Sequence, residues 1–151
     1  MAATTIPLDE LASHIGEHLG YCDYRVIAQD QVDLFADATG DHQWIHVDPE
    51  RAAAGPFGGT IAHGYLTLSL IPVLVGAILR VEGVSMGVNY GSNRVRFTAP
   101  VRVGSEVRAG ATLASVQDVA GGVQVALDVT VEIRGQDKPA CVAQTLTRFY
   151  R

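Results

Sequence analysis

Residues 63–81, with the sequence HGYLTLSLIPVLVGAILRV, form the longest apolar run in the chain. Apolar side chains occupy most positions of this run, so a helix built from it is hydrophobic nearly all round and has to be surrounded by the rest of the chain. Its most apolar part, Ile71 to Leu79, is far too short to span a bilayer, and Pro72 and Gly76 interrupt it. The stretch therefore predicts a buried central helix over about residues 63–81.

After this helix the sequence changes to the alternation that is typical of strands. The cleanest example runs from Val123 to Ile133, where apolar residues stand at every second position. Glycine-containing turns separate the alternating segments. We therefore expect an α+β protein in which an antiparallel sheet packs its apolar face on the central helix. The predicted strands are Val84–Thr98, Glu106–Val119, Val123–Arg134 and Ala140–Tyr150.

The chain before the apolar run is expected to begin with a helical extension. The whole protein has 151 residues, which fit one domain, 1–151, and residues 1–23 are the extension of that domain. Leu8–Leu19 places its apolar residues on one helical face and ends at Gly20, which predicts a helix. A short strand is expected over Tyr24–Ala28.

Two further helices are predicted to hold a polar loop between them. Asp30 is expected to cap the first helix, and Gly40 is expected to end it in a left-handed conformation. Asp48 is a suitable N-cap for the second helix, which is expected to end at Gly55-Pro56. The loop Asp41–Val47 is therefore held at both ends, as a catalytic loop needs to be.

Composition excludes several classes of protein. The net charge of -5 and the pI near 5.4 argue against a nucleic-acid surface. Cys22 and Cys141 form no CxxC motif, which is typical of a reduced protein with two buried thiols. The N-terminal sequence MAATTIPLDEL has no basic or apolar region of a secretion signal. We therefore expect a cytoplasmic location and no membrane partner.

Asp41 and His46 are the first candidates for catalysis. Across a constrained loop, a carboxylate and an imidazole can address the same water molecule. Together they can deliver hydroxide to one carbon and a proton to its neighbour, and the sequence does not decide which of them is the base. The alternative is structural: Asp41 caps the turn at Gly40, and His46 is a loop histidine with satisfied hydrogen bonds.

His63 and Gly64 open the central helix and form the second candidate site. The Gly64 N–H is expected to be an unpaired donor at the positive end of the helix, suited to a developing enolate oxygen. For His63 we favour a structural role over contact with substrate. Tyr65, Leu66 and Leu70 are expected to border a groove for an acyl chain.

A metal site is the alternative use of these side chains. Asp41, His42, His46 and His63 are all ligand types, but their spacing matches no metal motif, so no metal is expected. His42 is then a structural residue. Trp44 is interpreted as a packing anchor for the loop, with contact to the acyl chain as the alternative.

The first long strand carries the remaining candidates for binding substrate. Arg94 and Arg96 share one face of the strand and could meet the phosphates of a carrier, although such pairs are also found on solvated surfaces. Asn89 could donate to a carbonyl group or could pair across an interface.

Together these motifs resemble the MaoC-like dehydratase family, whose best-known activity is (R)-specific enoyl-CoA hydratase, or hydratase 2. The resemblance extends from about Tyr24 to the C-terminus. It rests on the loop Asp41–His46, on Ala52–Ala54, on GGTIAHGYL at residues 58–66 and on RFTAPVRVG at residues 96–104.

This resemblance implies a hot-dog fold, in which the sheet wraps the long helix, and a homodimer with an acyl tunnel at the interface. It also implies that Asp41 and His46 are the catalytic pair and that the Gly64 N–H binds the thioester carbonyl. The implied reaction adds water to the same face of trans-2-enoyl-CoA and gives the (R)-3-hydroxyacyl product. The acyl-CoA is the substrate, and no cofactor or metal takes part.

The chain departs from the family pattern at two places. The usual loop reads Asp-x-Asn-Pro-x-His, whereas Gln43 and Trp44 stand here in place of the Asn and Pro. Some members carry a serine about two turns into the helix, where this chain offers Ser69 and Pro72, so that role is not assigned.

Three other functions use the same fold or ligand. A hot-dog acyl-CoA thioesterase would hydrolyse a saturated thioester. A 3-hydroxyacyl-carrier-protein dehydratase would act on acyl carrier protein. An acyl-binding subunit would have no activity, but such subunits usually lose the Asp/His pair, which is intact here.

Overall fold

The computed structural model describes residues 2–151. Their elements, in chain order, are β1 (Thr4–Pro7), a 3-10 helix (Leu8–His14), β2 (His18–Tyr21), β3 (Arg25–Val26), α1 (Gln29–Thr39), α2 (Trp44–Val47), α3 (Pro49–Ala53), α4 (Gly64–Gly76), β4 (Leu79–Glu82), β5 (Met86–Arg96), β6 (Glu106–Val119), β7 (Gly122–Ile133) and β8 (Cys141–Tyr150). Antiparallel pairing orders the main sheet as β2-β6-β7-β8-β5, and β3 also pairs with β6.

The core lies between α4 and one face of this sheet. Every second residue of β7 from Val123 to Ile133 is buried, and these side chains meet the buried side of α4 at Leu66, Leu70 and Leu74. Burying one such side chain contributes about 1.5–3 kcal/mol. The predicted α+β arrangement, with an antiparallel sheet wrapped on a central helix, is confirmed.

The length of the central helix was predicted wrongly. α4 ends at Gly76, and residues 79–82 form β4, which pairs in parallel with β1. In β4 the side chains alternate between the core at Leu79 and solvent at Arg80. Because the apolar run continues across this change, periodicity could not separate a buried helix from the buried strand that follows it.

The predicted helix at Leu8–Leu19 is also wrong in type and length. A 3-10 helix over Leu8–His14 buries Leu8 and Leu11, and the chain then forms β2 on β6. Gly16 has a positive φ of 90° and donates its N–H to the carbonyl of Leu113. A left-handed residue cannot continue a right-handed helix, so the chain turns towards the sheet there.

The helices around the polar loop are bounded almost as expected. α1 ends at Gly40, which has φ 83° and donates its N–H to Ala36. Asp48 caps α3 by accepting a hydrogen bond from the N–H of Arg51. Asp30, however, lies inside the first turn of α1, whose N-cap is Ala28. Within the predicted loop the chain forms the short helix α2.

The sequence predicts no membrane-spanning helix and two cysteines that act as small packing groups. None of the helices in residues 2–151 is long and apolar enough to cross a membrane. Cys22 and Cys141 are both buried and free, in agreement with their interpretation as packing groups. Burial raises the pKa of the Cys141 thiol to about 11, so this group stays protonated and unreactive near neutral pH.

A glycine pair provides a test of how closely the strands pack. A Cβ at Gly122 would lie 1.9 Å from the carbonyl oxygen of Phe149, whereas a Cβ at Gly91 meets nothing within 4 Å among residues 2–151. We expect Gly122→Ala to lower the free energy of unfolding by roughly 1–3 kcal/mol or more, because backbone cannot move aside cheaply. Gly91→Ala is the matched control and should change stability little. Urea denaturation of both variants measures the difference, and equal stabilities would contradict this packing.

Candidate active site

Asp41, His46 and His63 come together at the N-terminal end of α4. One ligand-type atom from each of them lies within 4.8 Å of the others. Asp41 follows the glycine that ends α1 and is exposed, His46 is buried in α2, and His63 is buried as the N-cap of α4. The helix ends that frame the loop therefore bring together side chains that are far apart in the sequence.

The protonation of His46 follows from its hydrogen bond. Its Nδ1 lies 2.7 Å from the carbonyl oxygen of Ile61. Because a carbonyl can only accept, Nδ1 carries the proton and Nε2 carries a lone pair. Burial lowers the pKa of His46, and the nearby His63 lowers it further, against the hydrogen bond to Ile61 and the charge of Asp41. The imidazole is therefore neutral near pH 7 and can accept a proton at Nε2.

His63 links Asp41 to His46. Its Nε2–H donates to the backbone carbonyl of Asp41 over 2.9 Å, and its ring stacks on that of His46 with the centroids 3.9 Å apart. On the other side the ring contacts Phe35, with the centroids 4.9 Å apart. These contacts hold the Asp41 backbone beside the His46 ring, and the structural role of His63 stays a prediction.

The cluster fits a metal ion poorly. A zinc ion needs its ligand nitrogens about 2 Å away and pointing at one position. The lone pairs at His46 Nε2 and His63 Nδ1 lie in the planes of two stacked rings, 3.9 Å apart and inclined at only 22°, so a nearby ion cannot lie in both ring planes. The Nδ1 atom of His63 is buried and has no hydrogen-bond partner among residues 2–151.

Gly64 begins α4 and offers a free backbone donor. The Leu66 and Thr67 N–H groups donate to the carbonyl of His63. The Gly64 N–H has no acceptor among residues 2–151. It adds to the positive end of the helix dipole, which favours negative charge there. A Cβ at this position would lie 2.9 Å from the ring of Phe97, so a side chain here would displace that ring.

Two aromatic candidates lie beside the cluster. Trp44 is half-buried, and the Arg51 guanidinium lies over its ring at 4.3 Å. A Cβ at Gly55 would be only 3.0 Å from that ring. These contacts with and just beyond α3 are those of a packing anchor. Tyr65 is 70% exposed and meets Phe97 edge-on, with the centroids 5.8 Å apart.

The three candidates on β5 divide between the two faces of the sheet. Arg94 and Arg96 pair with Gln144 and Val142, which flank the buried Ala143. Because side chains alternate along a strand, both arginines face the outer surface, opposite α4. Within one protomer they do not converge on the catalytic cluster. Asn89 lines a groove on the α4 side instead.

This groove between α4 and β5, which we call the helix–strand groove, begins about one turn beyond Tyr65. It encloses about 640 Å³ and is mainly apolar. Leu66 and Leu70, expected to border an acyl groove, are buried in the core instead. The residues of the family's serine position, Ser69 and Pro72, line the groove together with Leu68, Asn89, Ser92 and Thr145.

The sequence did not indicate several residues around the cluster. The Ile61 carbonyl that fixes His46 is a backbone group, and Phe97 reaches Gly64 from the end of β5. Gln29 contacts the backbone of His46 from the start of α1. Each of these contacts depends on how distant segments pack, and no local pattern signals it.

The two loop histidines should titrate in a fixed order. Burial lowers the pKa of His46, whereas the hydrogen bond to the Asp37 carboxylate raises the pKa of His42. We therefore expect His46 to titrate below the ordinary histidine value of about 6.5 and His42 above it in NMR spectra. Asp37→Asn should bring down the pKa of His42 and leave that of His46 nearly unchanged. A pKa of His46 at or above that of His42 would contradict the geometry.

Comparison with known proteins agrees with this arrangement. The family model described as MaoC like domain matches residues 10–133. The chain is 57% identical over 141 residues to 3-hydroxyacyl-thioester dehydratase Z of Mycobacterium tuberculosis, with 93% of each chain covered. It is 46% identical over 145 residues to nodulation protein N of Rhizobium leguminosarum bv. viciae, covering 94% of this chain and 90% of that one.

A solved structure supports the fold. The (R)-hydratase from A. caviae involved in PHA biosynthesis superimposes with a TM-score of 0.72 at 25% identity, covering 88% of this chain and 94% of that one. Three observations point to the same family: the order of the elements, the apolar helix with His63 as its N-cap, and the matched family model. The chain belongs to the MaoC-like dehydratase family, has its hot-dog fold, and is an enzyme of the hydro-lyase class.

Proposed function

We propose that this protein is an (R)-specific enoyl-CoA hydratase, which reversibly adds water to trans-2-enoyl-CoA and gives (R)-3-hydroxyacyl-CoA. The observation that carries the proposal is the position of the His46 ring, which is held through Nδ1 by the Ile61 carbonyl and lies in one cluster with the Asp41 carboxylate and His63, the residue before Gly64. The names of the M. tuberculosis dehydratase and of the A. caviae hydratase support the same reaction in its two directions.

In the proposed mechanism His46 is first the base and then the acid. Water lies between His46 Nε2 and the Asp41 carboxylate, which accepts its second proton in a hydrogen bond and so orients it. Nε2 removes one proton while the oxygen bonds to C3 and the C2–C3 double bond becomes an enolate. The Gly64 N–H stabilises the enolate oxygen. The imidazolium then returns the proton to C2, on the face from which water was added.

The acyl chain is proposed to lie in the helix–strand groove, with Tyr65 at its entrance and Asn89 in its wall. Its mainly apolar lining suits a hydrocarbon tail. We propose CoA as the carrier, with Arg94 and Arg96 as contacts for its phosphates only across a dimer interface. We further propose that no metal or other cofactor takes part, which agrees with the poor fit of the stacked histidines to a metal ion.

Substitution of the pair tests the proposal directly. Asp41→Asn and His46→Gln should each lower the turnover of crotonyl-CoA roughly 10²- to 10⁴-fold, because the variants lose the orientation of water or the base. The loss of enoyl absorbance measures the rate, and circular dichroism checks the fold. His42→Gln is the matched control, since this exposed neighbour pairs with Asp37 outside the cluster. Near-normal turnover in either variant of the pair would refute the assignment.

The thioesterase alternative is separated by a second substrate. Release of free thiol from saturated butyryl-CoA, without loss of enoyl absorbance from crotonyl-CoA, would replace the hydratase proposal. Binding of both without turnover would indicate an acyl-binding subunit. If the protein turns over the enoyl thioester of acyl carrier protein faster than the same enoyl-CoA, the carrier that we propose is wrong but the proposed reaction is not.

We also propose that the protein is a homodimer joined along β5. This strand is at the edge of the sheet, so one row of its backbone groups is unpaired. Apolar side chains are exposed along it, among them Met86 and Tyr90 at 55% and 56%, and Val73 on the neighbouring α4 is 55% exposed. A second copy pairing β5 with β5 would satisfy the edge and cover these side chains.

Charged substitutions on this surface should produce monomers. We expect the double variant Val73→Lys/Val88→Lys to shift the mass measured by light scattering from dimer to monomer, because a lysine at Val88 on the edge strand resists pairing and one at Val73 on α4 would lose its hydration under a second copy. The double variant Ile15→Lys/Val26→Lys has the same added charge on exposed apolar positions elsewhere and should remain a dimer. If the wild-type protein is monomeric, or if both variants dissociate alike, this interface is wrong.

A further inference from the structure

Gln29, the first residue of α1, connects three separate segments around the cluster. Its Nε2 donates to the backbone carbonyl of His46 over 2.8 Å and to the Asp33 carboxylate over 2.9 Å. Its Oε1 accepts a hydrogen bond of 2.6 Å from the hydroxyl of Thr60. One side-chain amide therefore fixes α2 relative to the segment that precedes α4.

The same two segments are also joined directly through His46. Thr60 is buried, and the adjacent Ile61 accepts the Nδ1–H of the His46 ring. The Ile61 N–H donates to the carbonyl of Ile45, the residue before His46. The hydrogen bonds therefore close a ring that runs from the His46 carbonyl through Gln29, Thr60 and Ile61 back to the His46 imidazole.

We propose that Gln29 and Thr60 are positioning residues that hold His46 in its Nδ1–H tautomer with Nε2 directed at the reacting water. Their hydrogen bonds go to the His46 backbone, to Asp33 and to each other, so they act through the distance between the His46 ring and the Ile61 carbonyl. The tautomer of a histidine is set by the partner of its other nitrogen, so a longer Nδ1–Ile61 distance admits the Nε2–H form. In that form Nε2 has no lone pair with which to accept a proton.

The chemistry of Gln29 and Thr60 suits this role better than simple packing. Thr60 is buried, and a valine would fill the same volume without a hydroxyl that needs a partner. Gln29 uses its oxygen towards Thr60 and its nitrogen towards His46, so both ends of its amide are assigned. The bond from Thr60 thereby orients the amide so that its nitrogen faces the His46 carbonyl.

Thr60→Val and Thr60→Ser provide a matched pair for the test. Thr60→Val removes the hydroxyl at equal volume, and we expect kcat for crotonyl-CoA to fall about 10- to 100-fold with KM nearly unchanged, since the base is displaced but the acyl groove is intact. Thr60→Ser keeps the hydroxyl and should recover most of the lost kcat. Gln29→Leu should reproduce the effect, and the double variant Gln29→Leu/Thr60→Val should be little worse than either single variant, because the two act as one unit.

A direct readout of the tautomer accompanies the kinetics. Nitrogen-15 NMR of the wild-type protein should show His46 protonated at Nδ1, and both Gln29→Leu and Thr60→Val should show a mixture that includes the Nε2–H form. Ile6→Ala, which truncates a buried residue on β1 beyond the far end of α4, is the control for lost stability. Where Ile6→Ala lowers the melting temperature as much as Gln29→Leu or Thr60→Val does, it should still keep the wild-type tautomer of His46 and the wild-type kcat.

The outcomes separate this inference from the proposed function on which its kinetic arm depends. A wild-type protein that does not hydrate enoyl-CoA would refute the proposed function, while the tautomer measurement would still decide the role of Gln29 and Thr60. An unchanged tautomer and kcat in Gln29→Leu and Thr60→Val would overturn the inference. So would a loss of activity in these variants no larger than that of Ile6→Ala.

Discussion

The hydrogen bond from His46 Nδ1 to the carbonyl of Ile61 is the interaction on which the site depends. It joins the short helix α2 to the segment that leads into α4, and it leaves the opposite ring nitrogen free to accept a proton. Burial keeps this ring neutral by lowering its pKa. Without the bond, a buried imidazole would lack both a fixed direction and a fixed tautomer. The stacked ring of His63 adds a second contact, which holds the backbone of Asp41 nearby.

The apolar helix supplies the site with its donor and its shape. One face of α4 is buried against the sheet, so the N-terminal end of the helix is held at one position, and its first N–H groups are unpaired within the helix itself. Gly64 lets this end lie close to the ring of Phe97, which a side chain at that position would push aside. The same helix forms one wall of the helix–strand groove. The proposed donor, Gly64, and the proposed wall of the acyl groove thus belong to one rigid element, which suits a reaction that needs both aligned.

Several features that depend on local sequence patterns were predicted correctly. The alternation in β6, β7 and β8 gave their bounds to within one residue, and Gly40 and Asp48 located the helix ends around the loop. The motifs also indicated Asp41 and His46, which lie in one cluster with His63, and Gly64, which follows His63 at the start of α4. The end of α4 was missed because the apolar run passes from helix into β4 without a change in composition. β2 was missed because its pairing with β6 overrides a helical pattern. The contacts of Gln29 and Thr60 join residues that the sequence separates widely, so only the fold reveals them.

The central claim is that one imidazole, that of His46, both takes the proton from water and returns it to the adjacent carbon. Hydration of crotonyl-CoA in deuterium oxide tests this most directly, because proton NMR of the 3-hydroxybutyryl product shows on which face deuterium enters at C2. We predict a single diastereomer with the deuterium and the hydroxyl added to the same face of the double bond. Addition to opposite faces, or a mixture of both diastereomers, would show that separate groups or bulk solvent deliver the proton and would contradict the account.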